Sequence, residues 1–209
     1  MGFTACFSNH VFLVLPIAVF LFGPDAALPI VGLIAVDAAF VIAGTILALD
    51  LLDGADDGQS VFLKVVWAAV KNTQVLAVTA GIIYVFLDVP FFHGVDTFTA
   101  FLAGASGPVG LVALGVILAA PEGSGDRRMP MLIITLKLGL NPALAFAAVV
   151  VFGFTLTDAK PALMVAAGPS GAMALVLATR YNLLVDEVAR AIFLTTILAL
   201  LTVTLVAAL

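Results

Sequence analysis

Two ionisable side chains and two proline-bearing breaks interrupt otherwise apolar runs, and these carry the chemistry the sequence can offer. Asp37 falls near the middle of the run 28–50. A carboxylate buried at that depth must be protonated, paired or hydrated, which suits it to carry a coupling proton or sodium ion. Lys137 lies in the run 130–153, followed by Asn141-Pro142. Its ammonium can attract an anion, balance Asp37, or reach the nearer membrane edge along its own aliphatic stem. The first break is Phe7-Ser8-Asn9-His10-Val11-Phe12-Leu13-Val14-Leu15-Pro16 and the second is Ala167-Gly168-Pro169-Ser170-Gly171. Proline has no N–H to give its helix and its ring clashes with the preceding turn, so both runs are expected to be kinked or interrupted. Backbone freed at membrane depth persists only when buried in protein or lining a watered cavity. Half-helix N-termini there would offer N–H groups and a positive dipole end to a carboxylate, with Asn9 and Ser170 adding hydrogen bonds. The plainer reading of each break is a kink packed through small residues against a neighbouring helix. Gly168-Pro169-Ser170-Gly171 also fits a G-x-S-G pattern, which raises an intramembrane serine protease. A serine nucleophile needs a base within reach, and the two histidines, His10 and His93, both precede Ser170.

The elements that must hold these groups follow from composition. Of 209 residues, 64% are hydrophobic and 10% charged, with mean hydropathy +1.28. A soluble domain of this size cannot hide so much apolar surface. Using glycine, proline and charge clusters as punctuation, seven stretches of spanning length lie at about 3–22, 28–50, 64–87, 97–120, 130–153, 160–180 and 187–208. The fold class is therefore an all-α polytopic membrane protein. Lys64, Lys71, Arg127, Arg128, Arg180 and Arg190 fall on one side of such a bundle and Lys160 on the other. Positive charge concentrates in the cytoplasm, so the N-terminus is expected inside and the C-terminus outside, in a cell (inner or plasma) membrane. Eight scattered Lys+Arg make no nucleic-acid footprint. The single cysteine, Cys6, rules out an intrachain disulfide framework.

With these residues in place the chain resembles the auxin efflux carrier family, whose bacterial members include malonate and other organic-acid carriers. Asn9 to Pro16 is similar to that family's N-x-G-x-x-G-x-P crossover motif, with Val11 and Val14 at the two glycine positions. Leu136-Lys137-Leu138 with Pro142, then Ala167-Gly168-Pro169, then Ala178-Thr179-Arg180-Tyr181-Asn182 resemble its lysine-bearing eighth helix, its broken ninth helix and the segment after it. The resemblance implies ten helices in two inverted five-helix repeats, with the fourth and ninth broken and crossing. On that mapping the seven stretches are helices four to ten. Residues 1–52 close the first repeat, residues 53–209 form the second, and the chain is N-terminally incomplete.

The resemblance further implies a secondary carrier of a small organic anion. Asn9, Pro16, Lys137, Pro169 and Ser170 are its expected substrate-binding residues, and Asp37 its coupling group for H+ or Na+. No metal or other cofactor is expected. The expected partners are the anion and the bilayer, and a homodimer is admissible. A membrane subunit or remnant that does not transport is the rival from another class.

Overall fold

The computed structural model describes residues 1–52, 70, 73–87, 90, 92–118 and 128–209. Residues 53–58 and 121–127, which connect expected stretches, and the basic residues Lys64, Lys71 and Arg127 lie outside the described residues.

Helix is found in each of the seven expected stretches among the described residues, with interruptions at residues 7–9 and 168–172. In chain order they are α1 (Gly2–Cys6), α2 (His10–Phe22), α3 (Pro24–Leu49), α4 (Thr73–Leu87), α5 (His93–Leu118), α6 (Arg128–Phe152), α7 (Leu156–Ala167), α8 (Met173–Arg180) and α9 (Val185–Ala207). Among the described residues, three helices are assigned both the length and the apolar character to cross a membrane: α3, α6 and α9. The outward surfaces are what lipid demands. Phe20 is 88% exposed, Phe86 85% and Val151 78%, an arrangement that water would penalise.

The chain divides into two compact units. One comprises Met1–Val31 with Ser106–Leu209 and the other Gly32–Ala105. In the first, packing runs through small side chains. Ala5 of α1 and Ala191 of α9 enclose Ile133 of α6. Ala174 and Ala178 of α8 meet Val188 and Ile192 of α9, with Phe3 against them. Alanine at these contacts lets helix backbones approach closely, which is how helices associate where lipid is as apolar as the side chains. In the second unit, α4 packs on the stretch of α3 that begins at Asp37.

The first run is interrupted as expected, but not at Pro16. The chain leaves helical geometry at Phe7–Asn9, and Pro16 lies within a helix that continues to Phe22. The cause is a wide π turn over His10–Val14, in which the Val14 N–H reaches back to the Asn9 carbonyl at 3.3 Å. The extra residue in that turn removes the need for the bond proline cannot make. The same device precedes Pro142, where Thr135–Leu140 is a π stretch. A third covers Asp37–Ile42. Pro108 lies inside α5, which runs through it without a break.

Candidate functional site: the crossing of two broken helices

The interruptions at Phe7–Asn9 and Gly168–Ala172 meet each other. Ser8 and Ser170 form an isolated antiparallel bridge. The Asn9 N–H donates to the Pro169 carbonyl at 2.8 Å, and the Gly171 N–H to the Phe7 carbonyl at 3.0 Å. Each break thus satisfies backbone groups of the other, as membrane depth requires. The approach is close enough to demand glycine. A Cβ on Gly171 would lie 2.5 Å from the Phe7 ring and 2.9 Å from the Ser8 carbonyl oxygen.

The second break ends α7, whose last carbonyls lose their regular helical partners, although Val165 still takes the Gly168 N–H at 3.2 Å. Side chains from three places take them. Ser8 Oγ donates to the Val165 carbonyl at 2.8 Å, Asn141 Nδ2 to Ala166 at 3.5 Å, and Thr202 Oγ1 to Ala167 at 2.8 Å. Lys137 reaches the same region. It is completely buried, and its Nζ donates to Ser8 Oγ and, at 3.4 Å, to the carbonyl of Cys6, the last residue of α1. An ammonium suits this place because helix C-termini carry partial negative charge.

On the N-terminal side the accounting differs. Asn9 precedes α2, is 4% exposed, and its Nδ2 has no hydrogen-bond partner among the described residues. The first N–H groups of a helix are likewise without intrahelical acceptors. The crossing therefore covers the C-terminal carbonyls of α7 with protein donors while holding a buried amide donor in reserve beside the start of α2. Such a surplus favours an anion or another acceptor-rich group.

Of the expected site residues, Asn9, Lys137, Pro169 and Ser170 come together at the crossing. Ser170 is fully buried and committed on both sides: its hydroxyl donates to the Thr4 carbonyl at 2.7 Å and its N–H to Thr195 Oγ1 at 3.2 Å. The Ser170 hydroxyl proton is thereby spent on a carbonyl and not on a base. Pro169 is buried and contributes its carbonyl. Pro16 lies roughly 10 Å further along α2 at 1.5 Å per residue. It is exposed and packs toward Gly107 of α5, where an added Cβ would come 3.3 Å from its ring. Asp37 is half-buried and belongs to the second unit.

Sequence reasoning missed Ser8, Thr4 and the acceptor role of Thr195. Thr195 does bond its own helix, donating to Ala191 at 2.8 Å and Ile192 at 3.0 Å, as hydroxyls in apolar helices do. That choice leaves its lone pairs for Ser170. Ser8, adjacent to the motif asparagine, gave no signal beyond being a hydroxyl beside a break.

No curated protein matches the chain. The model of one family, described as membrane transport protein, matches residues 59–207. The match takes in Lys137, Pro169, Ser170 and Thr195 of the crossing, while Asn9, Pro16 and Asp37 precede it. With most of its length covered by that match, the chain belongs to the membrane transport protein family, that of the auxin efflux carriers.

Proposed function

We propose that the chain serves in a secondary carrier that moves a small organic anion, of the malonate type, across the cell membrane by alternating access. The observation that carries this reading is the buried, unpartnered Nδ2 of Asn9 beside the start of α2. A carboxylate at that point would accept from the amide and meet the positive end of α2. Lys137, Pro169 and Ser170 shape and charge the crossing, and Pro16 holds α2 against α5. Asp37, in a π stretch of an apolar helix, is the coupling group for H+ or Na+, in keeping with intramembrane carboxylates of pumps.

The architecture that goes with this reading has seven spans, the N-terminus in the cytoplasm, and helices four to ten of an inverted-repeat transporter. Residues 1–52 would then complete the first repeat and residues 53–209 the second. The positions of the helices and the pairing of two broken ones support it, because discontinuous helices meeting at a repeat interface are where carriers hold substrate.

The test is uptake of radiolabelled malonate, alongside a panel of mono- and dicarboxylates, into membrane vesicles from cells expressing the protein. Asn9→Ala, Asp37→Asn and Lys137→Met should each abolish uptake while the protein still inserts. Uptake at the unmodified rate in all three variants would sink the assignment.

A further inference from the structure

We propose that the space between the C-terminal ends of α1 and α7 is a monovalent-cation position, filled in this chain by its own Lys137 ammonium. The oxygens there are of the kind a hard cation takes. The Cys6 carbonyl closes α1, and Ser8 Oγ accepts from Lys137 while donating its own hydrogen bond to the Val165 carbonyl at 2.8 Å. Two half-helix C-termini thus direct their negative ends at one ammonium, directly and through one hydroxyl. In carriers with broken helices, such carbonyl ends coordinate a free sodium ion. Here the cation is tethered. Lys137 comes from a third helix, α6, and its complete burial means its charge is held by these oxygens and its other neighbours, with no share of bulk water. The π stretch Thr135–Leu140 carries the side chain on the turn just ahead of Asn141, which caps the neighbouring carbonyl of Ala166.

The consequence is specific. Shortening Lys137 should open the position to a small free cation, and that cation should stabilise the protein. The inference rests on the helix-end geometry and not on the carrier reading, so its readout needs no substrate. The purified full chain would be melted in detergent at fixed ionic strength in choline, sodium, potassium or methylammonium chloride. The unmodified protein sets the baseline, including any response that sodium draws from Asp37. Lys137→Ala should melt lower in choline and recover about 3–6 °C, saturably, in sodium or methylammonium, the gain expected from a ligand at roughly ten times its dissociation constant.

Lys137→Arg, which keeps the charge, should respond to the four salts as the parent does, without the added gain of the neutral variants. Lys137→Gln, which keeps the length without the charge, provides a second neutral variant should the alanine variant fail to fold. Equal salt responses in the parent and the neutral variants would overturn the inference. If neither neutral variant can be isolated, Lys137→Arg decides. Recovery at parental yield upholds the need for a cation there, and its loss overturns it.

Discussion

Val14 occupies the space that any side chain at position 168 would require: a Cβ placed on Gly168 would come 2.6 Å from Val14 Cγ2. Val14 is itself fully buried and stands at one of the two positions where the resembling motif has glycine. The crossing therefore keeps its close approach by placing the glycine on the second break and the branched side chain on the first. Gly168→Ala should cost about 1–3 kcal/mol, the usual penalty of overpacking. Val14→Ala combined with it should return most of that loss. A double-mutant cycle on unfolding in detergent measures the coupling, and additivity of the two changes would contradict the contact.

Gly171→Ala should be harsher and beyond such rescue. Its added Cβ meets the Phe7 ring at 2.5 Å and also the Ser8 carbonyl oxygen at 2.9 Å. Phe7→Ala removes the ring, but the backbone oxygen stays. The expected outcome is a sharp fall in folded yield for Gly171→Ala, by size-exclusion profile, that Phe7→Ala leaves uncorrected.

Much of this arrangement was legible before any coordinates, and the residues show why the rest was not. Apolar runs punctuated by Gly23-Pro24 and the glycines and proline of 168–171 set the helices and the second break. There the local signal is strong enough to override any partner: two glycines and a proline leave little helix to save. At the first break the local signal misled. Pro16 is the obvious helix breaker, yet a π turn absorbs it, and the chain breaks instead at Phe7–Asn9, which have no strong breaker among them. That location is set by Pro169 and Gly171, which supply the backbone partners for Asn9 and Phe7. Such a partner can be seen only once the two segments are adjacent. Ser8 and Thr4 were illegible for the same reason.

Thr195 offers a test of that long-range accounting. Its Oγ1 accepts the N–H of Ser170 at 3.2 Å in a fully buried setting. Thr195→Val keeps the shape but leaves that N–H without an acceptor, which should cost about 1–3 kcal/mol. Thr195→Ser should retain nearly all of the stability. Melting of both variants in the same detergent compares them; equal losses would assign the effect to packing and not to the hydroxyl.

Asn9 should behave in the opposite sense. Its buried Nδ2 has no partner among the described residues, so the folded state bears a desolvation cost that ligand would relieve. Asn9→Ala removes the cost and should leave stability unchanged or raise it by about 1 kcal/mol, while abolishing uptake. Parallel melting and uptake measurements check the pair of outcomes; a strongly destabilised variant would mean the amide is already bonded within the fold.

The bond from Ser170 to the carbonyl of Thr4 joins residues 166 positions apart, and this has a consequence for synthesis. At about 5–20 residues per second, the first break emerges roughly 8–30 s before its partner exists. During that interval Phe7 and Asn9 have no Pro169 or Gly171 to pair with, and for most of it Lys137 has not yet been made. The nascent segment must wait where water or another protein can serve its backbone, such as the insertion machinery or the membrane surface. Its final seating is thus a late event of biogenesis, set by the arrival of the second break and not by its own hydrophobicity.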